Sequence, residues 1–181
     1  MKLKNFGFLL PLSLLGLSAC MGDDDYTDYA EWRTENLDYI TAAEAEMLGG
    51  QKRYEKVVPK WDPATFVLMQ WHERGVNSDD LTPLDNSTIS IKYLLRDVRG
   101  DTLDSSYSQP DSLYKCKPCE MITGFWAATT TMHPGDSVTA VVPYTSGYGI
   151  SGSGSVLPYS TLIFEIKLDE IVSYDKPSWR P

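Results

Sequence analysis

Two cysteines three residues apart have the spacing that most directly suggests chemistry in this sequence. Cys116 and Cys119 form a C-x-x-C pattern, which can close a local disulfide, act as a redox pair or supply two metal ligands. A redox pair requires a helix that begins at the cysteines. A strand-like segment precedes these two, and the predicted helix starts several residues after them. Zinc requires two further ligands, and the sequence has only His72 and His133 to add. We expect a local disulfide first, free thiols second, and redox or metal chemistry last.

A glycine-rich stretch matches the sequence of a dinucleotide-binding motif but lacks the structural context that the motif requires. Residues 147–152 read G-x-G-x-x-G, but such a loop binds phosphate only when a helix opens directly after it. Further glycine and serine and then Leu157-Pro158 follow, and these cannot supply the helix. Hydrolytic chemistry is unsupported as well, since the sequence has two histidines and no G-x-S-x-G elbow. We interpret the stretch as a flexible flap and predict neither a cofactor nor a metal site.

The composition is that of a globular chain with an acidic balance. The chain has 181 residues, of which 42% are hydrophobic, and a net charge of −9. The apolar content excludes a fully disordered chain, and the acidic excess argues against binding to nucleic acid through its phosphates. The length suits one domain with an appendage, or two very small domains.

Hydrophobic periodicity predicts an antiparallel-looking sheet around one short helix. Strands are predicted from alternation or from β-forming content at 54–58, 66–72, 89–95, 138–142 and 162–168. Phe125, Ala128, Thr129 and Met132 follow helical spacing, and Pro134-Gly135 stops that helix. This arrangement belongs to the α+β class.

A longer helix is predicted near the start of the chain, over residues 26–47. Thr27 or Asp28 could cap its beginning, and Gly49-Gly50 is expected to end it. The segment 26–80 is interpreted as an N-terminal helical and strand extension. Residues 81–173 form the main predicted domain, and 174–181 are expected to be a loose C-terminal tail.

The first residues have the anatomy of an export signal. Two lysines precede an apolar run of about a dozen residues, which is too short to span a bilayer. The run ends in Leu17-Ser18-Ala19-Cys20, which resembles the lipobox of bacterial lipoproteins, and a plain signal peptide is the alternative. We expect a signal peptide over 1–19, lipidation of Cys20 and an acidic tether over 20–25. The acidic run resembles export signals of Bacteroides-type surface lipoproteins, so we expect an outer membrane lipoprotein on the periplasmic face or the cell surface.

Three separated blocks of the sequence resemble FKBP-type peptidyl-prolyl cis-trans isomerases. Residues 91–106 are similar to the strand, glycine turn and F-D-S-S segment of that family. Residues 120–136 are similar to its E-V-I-x-G-W helix, which ends in M-x-x-G. Residues 141–166 are similar to its P-x-x-x-A-Y-G loop, its I-P-x-x-T-L segment and its last strand. The resemblance implies an FKBP-like antiparallel sheet wrapped around one short helix.

The resemblance also implies a site that binds proline. Tyr148, Asp104 and Tyr93 would be its catalytic residues. Phe125 stands where the family has an indole floor, with Trp126 one place late, and Leu103 replaces its usual phenylalanine. The other residues implied to bind substrate are apolar: Met121, Ile122, Val156, Leu157 and Phe164.

The function implied is a peptidyl-prolyl isomerase that assists the folding of exported proteins. Its partners would be proline-containing segments of those proteins, and the membrane through the lipid anchor. The alternative is a non-catalytic FKBP-like binding or chaperone lipoprotein, which Phe125, Leu103 and the added N-terminal segment favour. Turnover that depends on Tyr148 and Asp104 would separate the two hypotheses.

Overall fold

The computed structural model describes residues 29–75 and 81–174. It begins with helix α1 (Ala30–Ala45), which is followed by a two-stranded hairpin of β1 (Met47–Leu48) and β2 (Gln51–Lys52). The helix ends before Glu46, whose backbone is extended, so Gly49-Gly50 does not terminate it as predicted. The two glycines turn the hairpin instead, with φ of 60° and 84°, a region that favours glycine. The predicted caps Thr27 and Asp28 lie outside the described residues.

Seven antiparallel strands form the main sheet. They are β3 (Glu55–Val57), β4 (Val67–Glu73), β5 (Thr88–Arg96), β6 (Thr102–Ser105), β7 (Tyr114–Cys116), β8 (Ser137–Val142) and β9 (Leu162–Ser173). Their order is β3-β4-β8-β9-β5-β6, and β7 also pairs with β5. β9 therefore lies between β8 and β5, and the predicted strands at 89–95, 138–142 and 162–168 are confirmed.

The main core lies between this sheet and helix α2 (Thr123–Thr129). Phe125, Ala128, Thr129 and Met132, which share one helical face in the sequence, are all buried at 1% exposure or less. Gly124 permits the close approach of α2 to the sheet, because a Cβ there would lie 2.3 Å from Val142 Cγ1. The predicted α+β arrangement of one short helix against an antiparallel sheet is confirmed.

A second, smaller core lies on the other side of the sheet, beneath α1. Leu68 and Val141 from β4 and β8 are buried there, with Ala43 of the helix. Tyr39 and Ile40 of α1 pack against the same cluster. The predicted N-terminal extension therefore docks on the sheet and also contributes β3 and β4 to it, so that the sheet spans the boundary predicted at residue 80.

Candidate functional site

An edge-to-face pair of phenylalanines forms the floor of the candidate site. Phe125 of α2 and Phe164 of β9 have ring centroids 5.5 Å apart at an interplanar angle of 65°, a favoured aromatic geometry. Both are buried, at 1% and 4% exposure. Met121 and Ile122, at the beginning of α2, are half-buried against the same core. The floor is therefore apolar and excludes water.

A tyrosine and a carboxylate form the polar wall. The hydroxyl of Tyr93 donates to Asp104 Oδ2 at 2.7 Å, and Asp104 Oδ1 accepts from the backbone N–H of Ser105. The antiparallel pairing of β5 with β6 places these residues together, with Leu95 opposite Asp104. Burial is the largest cause that raises the pKa of Tyr93, and the Asp104 carboxylate raises it further. The phenol therefore stays protonated and oriented by its acceptor.

Tyr114 extends this wall, although no motif of the sequence predicts it as a site residue. Its ring meets that of Tyr93 edge-on at 5.6 Å and 71°, because β7 pairs with the first part of β5. Burial chiefly raises the pKa of Tyr114, and nearby Cys116, Asp104 and Tyr148 contribute. The local signal was weak, since β7 is only three residues long.

Tyr148 lies at the open edge of the site, on the loop after β8. A 3-10 helix at Tyr144–Ser146 begins this loop, and the N–H of Gly149 donates back to the carbonyl of Tyr144 at 2.9 Å. The side chain is 37% exposed. Within residues 29–75 and 81–174 its hydroxyl has no hydrogen-bond partner, so it can donate to a bound molecule.

The structure brings most of the predicted site residues to one region. Phe125, Phe164 and Val156 are members of the main core, and Tyr93 and Leu103 pack against it. Leu157 and Ile150, which follow Tyr148 on the same loop, are 47% and 57% exposed, and we call these two apolar side chains the rim of the site. The roles predicted for these residues stay predictions.

The cysteines are free thiols, so the expected disulfide is not formed. Cys116 is part of strand β7 and its side chain is buried in the main core. Cys119 lies in the following 3-10 helix, where its Sγ donates to Asn86 Oδ1 at 3.0 Å. The two thiols thus have different surroundings, and burial raises the pKa of Cys116 from 9.0 to about 12. Across the described ranges, no three His, Cys, Asp or Glu side chains are grouped as metal ligands.

The fold and the sequence together define a class of protein. A family model described as FKBP-type peptidyl-prolyl cis-trans isomerase matches residues 80–169. FK506-binding protein 1 of Gibberella zeae is 32% identical over 75 residues, which are 41% of this chain and 68% of that protein. This chain belongs to the FKBP-type peptidyl-prolyl cis-trans isomerase family.

Other relatives are longer or more distant. The macrophage infectivity potentiator of Trypanosoma cruzi is 38% identical over 92 residues, covering 49% of this chain and 45% of that protein. FkpA of Escherichia coli is 25% identical over 99 residues, covering 55% of this chain. The chain spans about a third of the length of FkpA and of FK506-binding protein 4 of Dictyostelium discoideum, 36% and 32% respectively.

Solved structures share the fold. The crystal structure of Escherichia coli FkpA superposes with a TM-score of 0.66 at 20% identity, covering 81% of this chain and 62% of that one. A peptidyl-prolyl cis-trans isomerase from Pseudomonas syringae gives a TM-score of 0.64 at 20% identity, covering 78% of this chain and 94% of that one. The predicted FKBP-like fold with an N-terminal helix is confirmed.

Proposed function

We propose that this protein catalyses cis-trans isomerisation of X-Pro bonds in proline-containing segments of exported proteins. The observation that carries the proposal is the Tyr93–Asp104 hydrogen bond of 2.7 Å beside the buried Phe125–Phe164 pair. A polar wall beside an apolar floor suits a proline ring whose flanking amides are polar.

The chemistry needs no nucleophile. Rotation about a peptide bond meets a barrier of roughly 18–20 kcal/mol because it breaks amide conjugation. The twisted amide has less charge separation than the planar one, so a dry apolar floor stabilises it relative to the ground state. Phe125 and Phe164 would exclude water around the proline ring, and Tyr148 would donate its hydroxyl to the substrate carbonyl.

The polar wall would orient the substrate rather than exchange protons with it. The raised pKa of Tyr93 keeps its phenol neutral, and the phenol O–H donates a hydrogen bond to Asp104. Activity carried by such a site should therefore be nearly independent of pH through the neutral range.

A non-catalytic binding role is the second candidate, and the exposed apolar rim favours it. Ile150 and Leu157 are 57% and 47% exposed beside the site, and exposed apolar side chains at a site are typical of surfaces that bind extended chains. Binding of a proline-containing peptide without acceleration of its isomerisation would support this role.

The test is isomerisation of a short X-Pro peptide by the full-length chain in detergent micelles. We expect acceleration, and Tyr148→Phe should lower kcat/KM about two- to ten-fold, as the loss of one neutral hydrogen bond implies. Tyr107→Phe is the matched control. It is the same substitution at a tyrosine that is 59% exposed, and it should leave the rate unchanged.

Asp104→Asn gives an independent measure of the wall. It removes the charge that accepts from Tyr93 while keeping the shape of the side chain, and should lower kcat/KM without unfolding the protein. A flat trace from folded wild-type protein would refute the isomerase. Equal rates for wild type and Tyr148→Phe would refute the role given to that hydroxyl.

We also propose an outer membrane lipoprotein held by a lipid on Cys20. The support is the sequence Leu17-Ser18-Ala19-Cys20 after an apolar run, followed by an acidic segment. Among the described helices none is long and apolar enough to cross a bilayer. Mass spectrometry of the chain from membranes should find a lipid-modified N-terminal cysteine that Cys20→Ser abolishes, and an unmodified wild-type chain would refute the anchor.

A further inference from the structure

Helix α1 reaches the loop that carries the rim of the candidate site. Asn36 is completely buried although it is polar, and a buried amide destabilises the fold unless its groups are hydrogen-bonded. Its Oδ1 accepts from the backbone N–H of Thr161 at 2.6 Å. Its Nδ2 donates to the carbonyl of Trp32 at 2.7 Å, which fixes the orientation of the amide.

A second path runs from the helix to the rim itself. Trp32 Nε1 donates to Ser160 Oγ at 3.1 Å, and Ser160 Oγ donates in turn to the carbonyl of Leu157 at 2.7 Å. Trp32 and Ser160 are 7% and 3% exposed, so water competes little for either bond. A side chain of α1 is thus two hydrogen bonds away from Leu157.

A third contact involves a backbone that needs support. Tyr159 has φ of 62°, which a bulky L-residue rarely adopts without surrounding contacts. The guanidinium of Arg33 on α1 lies 5.0 Å from the centroid of its ring, and Tyr144 meets the same ring edge-on at 5.4 Å. The N–H of Tyr159 donates to the carbonyl of Gly149 at 3.0 Å, the residue next to Tyr148.

We infer that Trp32 and Asn36 are positioning residues, which hold the 148–161 loop in the geometry of the site through Leu157, Tyr159 and Thr161. We call these contacts of Trp32 and Asn36 with the loop the brace. They come from α1, which lies outside the range 80–169 that the family model matches. The inference rests on the proposed function where it concerns activity, whereas the brace itself is a property of the fold. Both can be measured on the same variants.

The experiment is amide hydrogen exchange on the full-length chain, with Trp32→Phe and Asn36→Leu. Trp32→Phe keeps an aromatic ring but removes the Nε1 donor together with one ring of the indole. We expect the amides of Gly149, Tyr159 and Thr161 to exchange about three- to ten-fold faster, while amides of β8 and β9 change less than about two-fold.

Asp38→Asn is the matched control on the same helix. Asp38 is exposed on α1, and the change keeps the shape of the side chain. It should leave exchange in the loop unchanged. Unchanged exchange in the loop of both variants would overturn the brace, and so would a uniform increase across the sheet, which would indicate only a loss of global stability.

The kinetic arm tests the consequence for the site. In the proposed site the apolar side chains of the loop contact the substrate both before and during rotation, so they contribute to binding in both states. KM of Trp32→Phe and Asn36→Leu should therefore rise about three-fold or more while kcat changes less. A loop that loosens with no change in KM would overturn the positioning role. An inactive wild type would refute the proposed function alone, since hydrogen exchange would still decide whether α1 braces the loop.

Discussion

Raising the pH should destabilise the folded protein through the buried thiol of Cys116. That side chain is 8% exposed within the main core, and burial raises its pKa from 9.0 to about 12, with a smaller contribution from Glu120. The unfolded chain therefore releases this proton at a lower pH than the folded one. The contribution to stability is complete below pH 9 and is lost as the pH rises toward 12.

The magnitude follows from the two pKa values. Between about pH 8 and about pH 10 the unfolded thiol becomes mostly ionised while the folded thiol stays neutral, which removes about 1 kcal/mol from the free energy of unfolding. Tyr93 and Tyr114 also have raised pKa values and change stability in the same direction. The contribution of the thiol is therefore measured as the difference in the pH dependence of the free energy of unfolding between wild type and Cys116→Ala.

The assay is urea unfolding followed by tryptophan fluorescence, with reductant present, at several pH values. Wild type should lose about 1 kcal/mol more than Cys116→Ala over this interval, and Cys119→Ala, at the less buried thiol, should behave as wild type. Parallel pH dependences for wild type and Cys116→Ala would refute the reasoning.

Two further substitutions test the packing. Gly124→Ala should destabilise by about 1–3 kcal/mol, the reverse of the usual helix preference, because its Cβ would lie 2.3 Å from Val142 Cγ1; Val142→Ala should restore part of the loss in a urea double-mutant cycle, and additive effects would contradict the clash. Asp136→Asn should lower the free energy of unfolding by about 1–3 kcal/mol, because the buried carboxylate accepts from the N–H of Gly75 through one oxygen and of His133 through the other. A thermal melt identical to that of wild type would show that the amide satisfies both donors.

The alternating strands and the short helix could be predicted from the sequence, because the spacing of apolar residues in each element determines which side chains are buried. Ile89, Ile91 and Leu95 face the main core in β5 as their spacing predicts. β4 is less clearly predicted, since Leu68 shares its second face with Gln70 and His72. Leu68 on that face is 1% exposed because α1 covers it, and the docking of a distant helix has no local signal.

The state of the cysteines and the contacts of Asn36 also could not be predicted from the sequence, because both depend on tertiary structure. A C-x-x-C spacing permits a disulfide, but a strand that turns Cys116 into the core and a 3-10 helix that bonds Cys119 to Asn86 keep both thiols free. Asn36 reads as an ordinary polar residue of a surface helix. Its burial depends on Thr161, far away in the sequence, so only tertiary structure reveals it.

The central place of β9 makes folding of this chain late and cooperative. β9 joins β8 to β5, and its pairs, such as Arg96 with Ile163, connect residues that are distant in sequence. Loop closure of that length opposes folding before any contact compensates for it. α1 and β4 are synthesised before β8, with which β4 pairs, so the face of β4 that joins the main core waits for the last third of the chain. A growing chain should stay accessible to proteases and holding factors until β9 is made, and then become protected in a single step.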